Sequence, residues 1–431
     1  MLIKRQIRAT VSRFSGALLV ILMCAVDSCW ALEGGLLTLL KSAEASQPLI
    51  KAARYSYDAA LEDVEASKRR RWPVLSAVVE SDTGAQTSAP AQSLQIELKI
   101  WDKGQTNAQI NETQAIASAS HAAVELERRR VFLEIISAWQ GYVLAEAKHA
   151  IALDVSMRLA AYKDMMRRRV DAEVSPLIEL EVVESRLLQS TVEQDLALSA
   201  KKTAASKLVQ LSGIGASDIQ ELIADSVPRL LNHLEFQACL TTECWRSALD
   251  KQPSVVKAQW EVAALEQRLK AKESDRWPYA YWRLTQPLDI GTGAANEKSM
   301  KPSSFLGLRY APGAGFELAV QVRAMASRLA SAQEGVESAK REVGAILEAD
   351  LADFLSSRSR FLSHERAVKS SLLVLDSYTA QFVAARKSWL DLLNAVRDLS
   401  QAQLARAEAE ISMASAFYRF ELRSGNLGFQ P

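Results

Sequence analysis

The chain has 431 residues, 48% of them apolar and 24% charged, with 52 basic against 51 acidic side chains. That near-balance gives no reason to invoke nucleic acid or a strongly acidic partner. With only 17 glycines and 11 prolines, and with Ala, Leu, Glu, Arg and Ser prominent, the composition excludes a loop-rich or low-complexity chain and suits long helices.

The N-terminus reads as an address. Lys4, Arg5, Arg8 and Arg13 form a basic region, Gly16 to Val26 an apolar core, and Cys29 and Ala31 an acceptable cleavage site. The apolar run falls short of the ~20 residues needed to cross a bilayer, so a secretory signal over residues 1–31 is favoured over a membrane anchor or a buried helix. Neither Met23 before Cys24 nor Ser28 before Cys29 makes a convincing lipoprotein motif. A mature chain starting near Leu32 keeps Cys239 and Cys244. Export puts them in an oxidising compartment, where a local disulfide is expected to pin the linker around them. A metal site is the weaker reading, because His233 is the one histidine nearby and a fourth ligand is missing.

From there the elements follow in order. Ala43 to Arg71 is helical by composition and is stopped by Trp72-Pro73. Val74 to Glu80 is a strand, and Ser81 to Gln92, with Gly84 and Pro90, is a loop. Leu94, Ile96, Leu98 and Ile100 alternate with Gln95, Glu97 and Lys99, which makes a second strand with one apolar face. Asp102-Lys103-Gly104 turns the chain out of it. Gln105 to Val170 holds no proline and a single glycine, Gly141. An apolar seam runs along it through Phe132, Ile136, Trp139, Val143, Ile151, Val155, Leu159, Tyr162, Met166 and Val170. At ~1.5 Å per residue such a helix is roughly 100 Å long. Ser175-Pro176 opens another helix in the order that N-termini favour, running to about Leu211 before Ser212-Gly213. Residues 214–249 read as a linker. Asp250 to Arg276 is helical again, Tyr279 to Gln286 and Phe305 to Tyr310 are strands, and Pro287 to Ser303 is a loop. Glu317 to Ala384 is a second long helix, with Val343, Leu347, Phe354, Phe361, Val368, Leu372, Leu375 and Phe382 along its seam. Ser388 to Leu422 closes the pattern, and residues 425–431 form a tail.

Residues 32–213 and 250–424 thus carry one plan twice. Gln47-Pro48 recurs as Gln252-Pro253, Arg71-Trp72-Pro73 as Arg276-Trp277-Pro278, and Ala53, Ala59 and Ala66 as Ala258, Ala264 and Ala271. The shift is 205 positions throughout (47 to 252, 72 to 277), so one structural unit is duplicated within one fold. The two shorter helices of each half together match the long one in length, which predicts hairpins with two helices stacked end to end beside a third. Four strands cannot close a membrane barrel, which takes about eight or more. An open apolar sheet in a secreted protein aggregates. The strands are therefore expected to be completed by other copies of the chain. Trp72, Trp101, Trp277, Tyr279, Tyr281 and Trp282 cluster at strand ends as interfacial girdles do. The alternative is a soluble two-stranded ribbon in each half, packed on its own helices.

This ordered set resembles the TolC-like outer-membrane efflux proteins over nearly the whole mature chain. The residues that carry the resemblance are Gln47-Pro48 with Arg71-Trp72-Pro73, Ile100-Trp-Asp-Lys-Gly104, Val174-Ser-Pro-Leu-Ile-Glu-Leu180 and Lys387-Ser-Trp-Leu-Asp-Leu-Leu393. The resemblance implies a mainly α fold with β: long antiparallel helical hairpins forming an α-barrel, and four strands per chain in a shared trimeric transmembrane β-barrel. It implies a homotrimer in outer-membrane lipid, a periplasmic adaptor and an inner-membrane transporter of the ABC type. Tyr310-Ala-Pro-Gly-Ala-Gly315, Arg386 to Ala395 and the paired Cys239 and Cys244 are similar to the branch serving type I secretion of large adhesins. Multidrug or small-molecule efflux is the alternative cargo reading, and a non-channel periplasmic coiled-coil scaffold is the alternative of another class. Ala172 and Ala385 stand where the family often has glycine.

Enzyme chemistry finds no support in the sequence. His121, His149, His233 and His364 are scattered with no His-Glu-x-x-His, and Gly291-Thr-Gly293 is too short to cradle phosphate. No cofactor or metal is expected. In a duct the functional residues are the lining and the tips. Leu94, Ile96, Leu98 and Ile100 are the candidate lipid face. Asp171, Ser175, Pro176 and Leu177, with Arg386, Ser388, Trp389 and Leu390, are candidates to dock an adaptor's helical hairpin, Leu177 and Leu390 being the apolar contacts unless they only cap the bundle's own core. Asp376, Tyr378 and Gln381 are candidates for an aperture ring, against the reading that Asp376 lies on a solvated outer face.

Overall fold

A computed structural model describes residues 35–80, 91–224, 249–288, 301–311, 314 and 317–425. The expected signal segment, Cys239, Cys244, His233 and Gly291-Thr-Gly293 lie outside the described residues. The elements are α1 (Gly35–Ser46), α2 (Pro48–Arg69), β1 (Val74–Glu80), β2 (Ala91–Trp101), α3 (Gln105–Asp171), α4 (Leu177–Ser212) and α5 (Ala216–Ala224), then α6 (Pro253–Ser274), β3 (Tyr279–Leu288), β4 (Ser303–Arg309), α7 (Glu317–Val383) and α8 (Trp389–Ser424). The described residues fold as two compact units, one from the segments Leu49–Glu127 and Leu249–Val343, the other from the remaining described residues. Both halves of the sequence contribute to each unit.

The duplication is closer in structure than in sequence. The helix pairs α2 and α6, α3 and α7, and α4 and α8 have 22, 67 and 36 residues in both copies. The shift of 205 holds for α2 (48 to 253) but becomes 212 for α3 (105 to 317) and α4 (177 to 389). The seven added residues enter between the start of β3 and that of α7, outside every helix. Even the terminators correspond. Gly213 and Gly425 both adopt left-handed backbone, φ 71° and 82°, and return their amides to Val209 and Glu421, as C-terminal glycines do.

Several sequence boundaries move: α1 starts at Gly35, ahead of Ala43, and β2 and β4 start at Ala91 and Ser303, inside the expected loops. The helix expected over 43–71 breaks at Gln47, because Pro48 has no amide to continue α1 and instead opens α2 at its first position. The expected linker carries α5 before the undescribed stretch. Leu36, Leu39, Leu40 and Ala43 bury one face of α1, in the unit that also holds Ile219 and Ile223 of α5 and Leu208 and Leu211 of α4, all buried. A Cβ on Gly35 would stand 1.9 Å from the Leu222 carbonyl oxygen, so this helix contact requires glycine. The orphan carbonyls at the end of α4 find partners nearby. Ser42 and Ser46 donate to the Ser212 carbonyl at 2.8 and 2.9 Å, and Gln47 Nε2 to that of Leu211 at 3.0 Å. The glutamine of the repeated Gln-Pro pair thus closes a helix end 164 residues away.

In this unit Phe132, Ile135, Ile136, Trp139 and Tyr142 of α3 are buried, as are Ala416, Tyr418 and Phe420 of α8. Trp139 meets Tyr418 edge-on at 5.5 Å. Burial pushes the Tyr418 phenol well above its ordinary range. Buried Asp350 of α7 accepts from Arg419 at 3.1 Å and also from Arg423, tying α7 to α8.

The other unit carries the sheet. Its four strands are antiparallel in the order β1-β2-β3-β4. The hairpins of the two repeats are therefore joined through β2 and β3 into one sheet, and the two-ribbon alternative is excluded. Strand β3 continues through Pro287 to Leu288, beyond the expected loop start.

Candidate functional site

Directly paired residues on neighbouring strands share a face of a sheet. Leu94 pairs with Ala77, and Ile96 with Leu75 and Leu284. Leu98 pairs with Trp282, which pairs with Leu306, and Ala280 pairs with Leu308. These residues define an apolar face, and the chain leaves much of it uncovered. Leu75, Leu306 and Leu308 are 63%, 76% and 72% exposed. Three of the four expected residues, Leu94, Ile96 and Leu98, sit on this face in register. Ile100 lies at a bulge between Lys99 and Trp101. The bulge has a use. Strict alternation would send Trp101 to the face opposite Leu98, but the shift pairs it with Ala280, beside Leu308. Sequence alternation alone could not show this.

The opposite face is polar. Ser76, Gln95, Thr285 and Ser303 form one row across it, and Val74, Glu97, Arg283 and Phe305 the next. Strands β1 and β4 are the edges, and no described strand pairs with their outer sides.

The second candidate region joins α3 to α4 and α7 to α8. In both turns the second residue past the long helix has left-handed backbone: Glu173, φ 58°, after α3, and Ala385, φ 57°, after α7. Ala172, which the sequence set beside Ala385, corresponds instead to Ala384. By the same shift of 212, Leu177 corresponds to Trp389 and Ile178 to Leu390, so Leu177 and Leu390 are not counterparts. Leu177, Ile178 and Leu390 are exposed, whereas Trp389 is only 4% exposed. Trp389 packs among Leu159, Met166, Val183, Leu375, Phe382 and Leu392, and its indole N–H donates to the Glu179 carbonyl at 3.1 Å. Its placement is that of a packing residue. Ser388 caps α8 reciprocally with Asp391. The serine hydroxyl donates to Asp391 Oδ2 at 2.8 Å and accepts from the Asp391 amide at 3.2 Å, while the Ser388 amide donates to that carboxylate at 3.3 Å. Bonds from the Ser388 side chain and amide, aided by Lys387, hold the Asp391 carboxyl below its ordinary range. Pro176 precedes α4 with no side-chain cap. Ser175 there accepts from Arg169 Nε at 3.1 Å. Asp171 and Arg386 are exposed, and the Arg386 amide returns to Gln381 at 2.8 Å.

The aperture candidates do not share a side. At ~100° per residue, Asp376 and Tyr378 lie roughly 200° apart around α7. Asp376 is exposed, Tyr378 is packed at the edge of the Trp389 cluster with Lys387 4.3 Å above its ring, and Gln381 bonds back to Ser377 at 2.9 Å. Among the described residues no group of three or more His, Cys, Asp or Glu is placed to hold a metal, and no helix is long and apolar enough to cross a membrane.

This combination of a four-stranded sheet with one greasy face and duplicated helical hairpins is the fold of the TolC-like outer-membrane channels. The chain superposes on the outer-membrane channel OprN with a TM-score of 0.78 at 17% identity, covering 94% of this chain and 93% of that one. It superposes equally, at 18% identity and 91% coverage of both chains, on a membrane protein of Pseudomonas aeruginosa. In sequence it is 23% identical over 340 residues to the outer membrane efflux protein BepC of Brucella suis, covering 78% of this chain and 72% of that protein. No family model matches the chain.

Proposed function

We propose that the protein is an outer-membrane duct that passes substrate from an inner-membrane transporter and a periplasmic adaptor to the exterior. The observation that carries this reading is the sheet: one apolar face left open, one polar face, and two edges that no described strand pairs with. An apolar sheet face suits lipid, and edges are tolerated in a membrane only when a barrel closes on itself. Three copies supply twelve strands, enough for closure. Exposed apolar stripes at helical spacing support lateral packing of copies: Leu188, Val192 and Leu196 on α4, and Leu355 and Leu362 on α7. The exposed turns after α3 and α7 then face the adaptor. No step of catalysis is assigned.

The test is fractionation and gel analysis of the native protein. A heat-modifiable trimer extracted by detergent from the outer membrane is expected, and a soluble single-copy rod in the periplasm overturns the duct. For cargo, the resemblance of Tyr310–Gly315 and Arg386–Ala395 supports secretion of a large adhesin, while the name of the Brucella relative favours efflux. Deleting the gene separates the two. Loss of one large surface protein marks secretion; sensitivity to drugs or metals with surface proteins intact marks efflux.

A further inference from the structure

The polar face of the sheet is not uniformly polar. Toward the loop ends of the strands it carries Ser76, Ser93, Gln95, Thr285 and Ser303, with Glu80 at the last pair of β1, three rows beyond Glu97. At the end joining the helices it carries Glu97, Lys99, Arg283 and Arg309, with Tyr279 and Tyr281 between them. Glu97 is the single carboxylate of the group. It accepts from Arg283 at 2.6 and 3.0 Å and lies 3.8 Å from Arg309. Asp102, just beyond β2, is turned toward the start of α3, where its carboxylate accepts from the amides of Gly104 and Thr106 at 3.1 and 2.8 Å.

The tyrosines form a platform for the cations. Arg283 and Arg309 stand 5.1 and 5.0 Å from the centre of the Tyr281 ring, Lys99 stands 4.9 Å from that of Tyr279, and Arg309 donates to the Tyr279 hydroxyl at 2.9 Å. Ring faces attract cations without neutralising them. Gly307 lies opposite Tyr281 on β4, and a Cβ there would come within 2.7 Å of the phenol. The missing side chain is what lets the ring lie across the strand beneath both guanidinium groups.

We propose that this cluster is an anion-favouring band, which small solutes bearing carboxylate or phosphate pass in preference to cations. The inference rests on the duct reading, in which the apolar face meets lipid and the polar face lines the passage. Three basic groups against one carboxylate leave a net charge of +2 per chain, and symmetry repeats the group at one height around the lumen. Rings of Arg and Lys select anions, and a low-dielectric wall strengthens their field.

The experiment measures the reversal potential of the purified full-length protein in planar bilayers under a potassium chloride gradient. The native channel is expected to favour chloride. Arg283→Gln with Arg309→Gln lowers the chloride-to-potassium permeability ratio several-fold, and Glu97→Gln raises it. Should the double variant fail to assemble, Glu97→Gln decides alone. A conducting channel that prefers potassium, or whose ratio moves with neither change, overturns the anion band and leaves the duct standing. Membrane-inserted protein that does not conduct overturns the duct and the band together.

Discussion

The two turns that end α3 and α7 share a backbone and differ in what holds it. Each places a left-handed residue two positions past its long helix and begins the next helix four positions later. The second turn is bolted. Trp389, the first residue of α8, is buried against both repeats' helices and reaches the Glu179 carbonyl, and Ser388 and Asp391 cap one another. The first turn has exposed Leu177 in the place of Trp389 and Pro176 in the place of Ser388. Duplicated backbone has thus been given two tasks. One copy supplies the anchor for the cluster, with Val383 and Leu390 exposed beside it, and the other leaves Val174, Leu177 and Ile178 uncovered with no buried anchor at its helix start.

Substitutions across the pair test that division, the largest effect first. Trp389→Ala removes a buried aromatic and is expected to cost ~3–5 kcal/mol, whereas Leu177→Ala at the corresponding exposed site stays within ~0.5 kcal/mol. Denaturant unfolding of the detergent-solubilised protein compares them, and equal losses would erase the asymmetry. Replacing Leu177 and Ile178 together by serine is expected to weaken capture of an adaptor's hairpin by ~2 kcal/mol without lowering stability. Binding measured with purified adaptor checks this, and undiminished capture would move the docking surface elsewhere.

Smaller effects sharpen the contrast. Ser388→Ala deletes a helix cap and should cost ~1 kcal/mol; Pro176→Ala deletes no side-chain cap. Ala385→Gly relieves ~1 kcal/mol of left-handed strain against ~0.5 kcal/mol of added chain entropy. A slight gain in unfolding midpoint is therefore expected. Finally, acid should loosen the second turn alone. Because the Asp391 carboxyl is depressed in the folded protein, its contribution is present above the unfolded-state value and is lost as pH falls through the folded one. Hydrogen exchange at the Asp391 amide should quicken there, and the first turn, which has no such reciprocal cap, should not follow.

Much of the fold was legible because long helices advertise themselves. The seam residues Phe132, Ile136, Trp139 and Val143 are all buried, and both long helices end within one residue of expectation. Half of the repeat was also legible. The shift of 205 is written in Gln-Pro and Arg-Trp-Pro, which mark helix starts and stops. The shift of 212 was not, since α3 and α7 preserve length, and α4 and α8 length and terminal glycine, rather than side chains. The tips were misaligned for the same reason. Ser175-Pro176 looks like Ser388-Trp389 in letters, yet the backbone sets Pro176 against Ser388.

From the sequence alone came every strand, the apolar face of β2, the shortage of strands for a closed barrel and the duplication, all of them consequences of local periodicity and chain length. Tertiary structure decided that β2 and β3 join the repeats into one sheet, that a bulge swings Trp101 to the greasy side, and that Trp389 faces inward. It also gathered Lys99, Arg283 and Arg309 onto two tyrosine rings. Register and packing between distant segments settle such matters, and neither is written in the spacing of residues along one strand or helix.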